Sequence, residues 1–313
     1  MKDSLWLLAG LALSMPCAGQ EPIRVDVRLI NVAFSVRDSR GNLVPNLGRD
    51  NFEVSEDGVP QNISFFARSS DVPLTLGLLV DFSTSQEHFI KPHHQDFEKF
   101  LKTSLKAGDR AFLVGFAKES RLLSDYTSSA KDLRQALEGY QRPKERGTFP
   151  LFGPRELRTD CGNTSFFDAV YDAIAQKLGR AETGRRAAII FSDGDDISSA
   201  HTEVDVIEAS QSNDVVLFAI RYTETAEGRL TARNKNGISV MRRIAAESGG
   251  GEFDARETGL PEHFRQIEEQ LRSSYELAYH TTNPTSDGTF HKISIRVKSG
   301  ELKVRAKTGY YAR

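Results

Sequence analysis

The feature that most constrains this fold is an alternation that begins near Val72. Short apolar runs, each the length of a buried strand, are separated by segments with helical spacing. The runs are residues 74–80, 111–116, 187–191 and 215–220. Helical patterns occupy residues 96–105, 131–140, 165–178, 204–210, 240–248 and 262–271. In the third of these, Phe166, Val170, Ile174 and Leu178 fall near one face. Strands that are apolar on both faces and alternate with helices predict a doubly wound, mostly parallel sheet with helices on both sides.

The two ends of the chain read differently. Val25, Val27 and Leu29 begin a loose alternation that continues to Val36, and residues 52–66 read as a hairpin around Asp57-Gly58. After the last helical pattern, residues 274–280, 291–298 and 302–307 read as strands, with turn signals at Asn283-Pro284 and Asp287-Gly288. The expected organisation is a leader at 1–19, a β segment at 20–71, an α/β domain at 72–272 and a second β segment at 273–313. The two antiparallel β segments are expected either to form one β-sandwich, with the α/β domain inserted between them, or to stand as two small domains.

Asp81-Phe82-Ser83-Thr84-Ser85 follows the first apolar run directly. It places one carboxylate and two hydroxyls on alternate residues of a tight loop, where they can converge on one point. Hard divalent cations such as Mg²⁺ prefer such oxygen ligands. Gly162-Asn163-Thr164 and Ser192-Asp193-Gly194 offer further oxygens, the latter also at the end of an apolar run. Their joint occurrence in strand-end context is far more specific than any one of them alone.

The order Asp-x-Ser-x-Ser, then Thr, then Asp resembles the metal-ion-dependent adhesion site of von Willebrand factor type A domains. The likeness extends to Phe52-Glu53-Val54, Glu56-Asp57-Gly58, residues 61–66, Asp71-Val72-Pro73 and Gly309-Tyr310-Tyr311, which look like the VWFA-related family abundant in acidobacterial genomes. It covers almost the whole chain after the leader. It implies a type A fold, an extracytoplasmic setting and a site for Mg²⁺, Mn²⁺ or Ca²⁺. Matched by position, Ser83 and Ser85 would hold the metal directly, and Thr164 directly or through water. Asp81 and Asp193 would accept hydrogen bonds from the metal's waters. An acidic residue of a protein partner would complete the site. Thr84 stands where many type A domains have Gly, and Phe82 is expected to pack under the loop. Asp195 and Asp196 read either as a solvated acidic turn or as added cation ligands.

Formal charge is -2, from 41 basic and 43 acidic residues, so nothing global points to nucleic acid. Lys2, the apolar stretch 5–13 and Cys17-Ala18-Gly19 before Gln20 read as a secretory signal, giving a secreted, periplasmic or cell-surface protein. That stretch is short for a membrane span, so no stable span is expected after cleavage. A buried N-terminal helix and a lipoprotein site at Cys17 are the alternatives, the second disfavoured by Met15-Pro16. Removal of the leader leaves Cys161 as the lone cysteine, more simply a buried or loop thiol than a reactive one. The 141–160 loop carries Arg142, Lys144, Arg146, Arg155 and Arg158 and reads as a basic rim or as a solvated variable loop. His88, His93 and His94 lack zinc-peptidase spacing, and no Gly-x-Ser-x-Gly elbow or Walker loop is present. A metal-dependent binding module, not an enzyme, is therefore expected. The alternatives are an assembly protein whose metal loop only stabilises the fold, and a phosphatase-like hydrolase using Asp81 as nucleophile.

Overall fold

The computed structural model describes residues 28–69, 72–86, 94–140, 146–153, 164–182, 184–223, 225, 229–256, 259–283, 287–298 and 300–312. The leader, Cys161, His88 and His93 lie outside them, as do Arg142, Lys144, Arg155 and Arg158. No helix among the described residues is long and apolar enough to cross a membrane.

The core of the α/β part is a six-stranded sheet in the order β10-β9-β8-β5-β6-β7. Its strands are β5 (Leu74–Asp81), β6 (Arg110–Phe116), β7 (Ser120–Thr127), β8 (Arg185–Ser192), β9 (Val215–Arg221) and β10 (Glu252–Asp254). All pair in parallel except β7, which runs antiparallel to β6 at the edge. Every residue of β5 is buried, because helices cover both faces. Leu76, Leu78 and Val80 face a layer made with α1 (His94–Ser104), α2 (Ala130–Tyr140) and α6 (Leu260–Arg272). Leu79 faces the other layer, built with α3 (Phe166–Asp172), α4 (Glu203–Ser212) and α5 (Ala232–Glu247). Beyond Asp172, α3 continues through a π turn at Ala173–Lys177. Gly77 keeps this second face open, since a Cβ there would lie 2.8 Å from the Phe112 ring.

Among the described residues, two four-stranded sheets, β13-β1-β11-β4 and β14-β12-β2-β3, hold the remaining strands. Both mix strands from before and after the α/β part. β1 (Leu29–Arg37) pairs with β11 (Ser274–His280) and β13 (Lys303–Ala306), and β2 (Phe52–Glu56) pairs with β12 (Phe290–Val297). Their inner faces share one core, in which Phe34, Phe52, Phe66 and Tyr275 form an aromatic cluster with ring centroids 5.0–5.8 Å apart. β4 leads into the amino end of β5, so the sandwich joins the sheet at the end away from Asp81.

Five features differ from the sequence expectation. The hairpin at Asp57-Gly58 is short, joining β2 to β3 (Val59–Gln61), and does not run on to Phe66. After Asn62 the chain enters the other sheet as β4 (Ile63–Ser69), pairing with β11. β7 and β10 were not anticipated. The first is a half-exposed edge strand with broken register against β6, and the second is only three residues long, so neither carries a clean apolar run. β14 (Gly309–Tyr311) is equally short. α5 begins eight residues before the apolar pattern does, because Thr231 and Asn234 form a capping box ahead of a polar first half.

Candidate metal centre

The chain runs from β5 outward to β6 and β7, then returns to β8 on the other side of β5. The strand order therefore reverses beside β5, and crevices at the carboxyl ends of strands at such points are where open α/β sheets hold ligands. Asp81 ends β5 and Ser192 ends β8. Asp81 is 1% exposed. Its Oδ1 accepts a hydrogen bond from the Ser83 backbone N–H (2.8 Å), and its Oδ2 accepts one from the Ser192 hydroxyl (2.6 Å). Burial pushes the Asp81 carboxyl up to about 7, against the downward pull of the Ser192 and Ser83 hydrogen bonds, and nearby Asp193 adds to the rise.

Three loops converge here. The Ser83 and Ser85 hydroxyls lie 3.3 Å apart, and Ser85 donates to Asp193 Oδ2 at 2.8 Å. Ser83, Ser85, Thr164 and Asp193 line one cleft of ≈ 280 Å³, with exposed Thr84 at its edge. The Thr164 carbonyl accepts the backbone N–H groups of Ile197 and Ser198, which fastens the Thr164 loop to the segment after Asp193. Phe82 is buried and meets Tyr140 edge to face at 4.6 Å, so it anchors the loop from below. Ser192 was not singled out from sequence, although its side chain ties Asp81 to the Asp193 loop by also accepting the Gly194 N–H.

Close backbone packing holds Asp193 in place. Gly194 has φ +77°, a conformation natural to glycine. A Cβ on Gly237 of α5 would sit 2.2 Å from the Asp193 carbonyl oxygen. Helix α5 thus lies directly against the loop, and Arg233 and Asn234 reach the cleft from it.

Asp195 and Asp196 do not form a solvated acidic turn. Arg233 grips Asp195 through two hydrogen bonds, Nε to Oδ1 at 2.6 Å and a second to Oδ2. Asp196 accepts the Phe166 and Phe167 N–H groups at 2.8 and 3.2 Å and so caps α3 from a distant loop. Asp196→Ala is expected to cost about 1–2 kcal/mol through that cap, which urea unfolding would register. Of the 141–160 loop, residues 146–153 are described, and the basic residues outside them leave the rim reading an expectation. Within the described stretch, Phe152 N–H donates to the Ser120 carbonyl and Leu122 N–H to the Pro150 carbonyl, so residues 150–152 lie along the edge strand β7.

The donor set suits a hard divalent cation: hydroxyls at Ser83, Ser85 and Thr164, and two buried carboxylates whose like charges a cation would offset. Sheet order, the antiparallel edge strand and these three oxygen-bearing loops form the mostly parallel α/β fold that the resemblance to von Willebrand type A domains implies. Neither a family model nor a curated protein matches the chain. Among solved structures it is similar to an aerotolerance-related membrane protein from Bacteroides fragilis, with 14% identity over 63% of this chain and 98% of that one and a TM-score of 0.46. It is also similar to BatB from Bacteroides thetaiotaomicron, with 14% identity over 64% and 100% of the two chains and a TM-score of 0.44. A third is proximal thread matrix protein 1 of the mussel byssus with a zinc-occupied MIDAS motif, at 16% identity over 70% of this chain, half of that chain's length and a TM-score of 0.46.

Proposed function

We propose that this protein is an extracytoplasmic binding module that captures a protein partner through a divalent metal. The observation that supports it is the meeting of Ser83, Ser85, Thr164 and Asp193 at one open cleft beside the strand-order reversal, with Asp81 buried behind them and bonded to the Ser83 N–H. Ser83, Ser85 and Thr164 would hold Mg²⁺, Mn²⁺ or Ca²⁺, and Asp81 and Asp193 would accept hydrogen bonds from its waters. Bound there, the cation supplies an electrophilic position for a carboxylate of the partner. The chain's own residues orient the three hydroxyls and keep both carboxylates fixed. Residues 20–71 and 273–313 would serve as one β module carrying the domain 72–272, with a cleaved leader at 1–19.

A nucleophilic role for Asp81 fits poorly. Its two oxygens are engaged by Ser83 and Ser192 in a nearly closed environment, and Ser83 stands where a phosphatase of that kind needs a second Asp.

Immobilised mature protein is expected to capture a partner from envelope extracts in Mg²⁺ and to release it in EDTA. Capture that persists in EDTA, or that Asp193→Ala leaves unchanged, would overturn this reading.

A further inference from the structure

Two sequence motifs left without a role, Glu56-Asp57-Gly58 and Gly309-Tyr310-Tyr311, meet in the β-sandwich. On β2 the inward positions are Phe52, Val54 and Glu56; on β12 they are His291, Ile293 and Ile295. A carboxylate and an imidazole thus occupy places that strand periodicity gives to apolar core residues. Glu56 is 2% exposed and His291 5%. Burying such groups costs several kcal/mol unless they are hydrogen-bonded, paired or bound to a metal.

Their surroundings are arranged around one point. Glu56 accepts hydrogen bonds from Tyr279 (2.8 Å) and Thr281 (2.6 Å). His291 Nδ1 lies 2.7 Å from Asp57 Oδ2, and its Nε2 lies 3.2 Å from the Thr289 hydroxyl. Asp57 has φ +49° in the tight turn and accepts the Lys292 N–H at 2.8 Å, which fixes it against β12. One ligand atom from each of Glu56, Asp57 and His291 falls within 4.8 Å of the other two.

We infer that Glu56, Asp57 and His291 form a second divalent-cation site, selective for zinc-like ions over magnesium. An imidazole with two carboxylates is a donor set for Zn²⁺ and its late first-row neighbours, whereas Mg²⁺ prefers oxygen alone. The cation takes the place of the contacts that Asp57 and the Asn283 amide, 3.2 Å away, make with His291 Nδ1. Thr289 then receives the Nε2–H and holds the ring, while Tyr279 and Thr281 orient Glu56, the outer support that metal ligands usually have. Such a cation would clamp β2 to β12 and so join chain segments more than 200 residues apart, as the Asp57–His291 separation of 234 shows. The site is independent of the adhesion-type centre.

Untagged mature protein in excess Mg²⁺ is titrated with Zn²⁺ by calorimetry and with Co²⁺ by visible absorption. Expected are one equivalent of Zn²⁺, retained by Asp81→Ala, and Co²⁺ bands that mark a nitrogen ligand. His291→Gln should abolish both, and Asp57→Asn, which keeps the side-chain shape and suits the positive φ there, should weaken Zn²⁺ by more than about tenfold. No Zn²⁺ uptake in Mg²⁺-saturated protein, or unchanged uptake in folded Asp57→Asn and His291→Gln, would overturn the site. Loss of stability in these variants without any metal uptake would identify a plain ion pair instead.

Discussion

Gly237→Ala is expected to destabilise the protein by about 1–3 kcal/mol and to weaken Mg²⁺ binding about 10- to 100-fold. Helix propensity alone argues the other way, since Ala in a helix interior gains about 1 kcal/mol over Gly. Steric contact decides the sign. The new Cβ would lie 2.2 Å from the Asp193 carbonyl oxygen and 3.3 Å from the carbons of Asp193 and Gly194. The first is a backbone atom, so no side-chain rotation relieves the contact, and either α5 or the Asp193 loop must move. Because the carbonyl belongs to Asp193 itself, the strain falls on the proposed site. Gly147→Ala is the matching control, as nothing lies within 4 Å of a Cβ there. Thermal unfolding and Mg²⁺ calorimetry on the two variants check both effects. A Gly237→Ala protein with wild-type affinity would mean that α5, not the Asp193 loop, gives way to the new methyl group.

Tyr275→Ala should have the larger effect on stability, about 3–5 kcal/mol, with Mg²⁺ affinity unchanged. Tyr275 is fully buried and touches Phe34, Phe52 and Phe66. Its hydroxyl donates to the Val44 carbonyl and accepts the Leu47 N–H at 3.0 Å. Truncation removes the aromatic centre of the sandwich and leaves two backbone groups of the 44–47 loop without this partner. Tyr275→Phe separates the terms and should cost only about 1–2 kcal/mol. The sandwich joins β5 at the end opposite Asp81, so a change in its core should not reach the metal cleft. Urea unfolding followed by circular dichroism, paired with metal titration, checks this. A parallel loss of metal affinity would show that the sandwich and the cleft are energetically coupled.

What the sequence revealed follows from burial. β5, β8 and β9 are covered on both faces, so each reads as an unbroken apolar run, and Asp81 and Asp193 are conspicuous where two of those runs end. β7 escaped because an edge strand tolerates Arg121, Ser124 and Asp125. The cap that Asp196 places on α3, the Arg233–Asp195 pair and the Ser192 link to Asp81 join residues 30 to 111 positions apart. No local pattern encodes such contacts. Glu56 and His291 are more widely separated still, and each alone looks like an ordinary polar strand residue.

The most direct test of the central claim is calorimetric titration of the purified protein with Mg²⁺, Mn²⁺ and Ca²⁺, beside Asp81→Ala and Thr164→Ala. The account predicts one binding event in the wild type that is lost in Asp81→Ala and strongly weakened in Thr164→Ala. Equal binding in all three proteins, or no binding in the folded wild type, would contradict it.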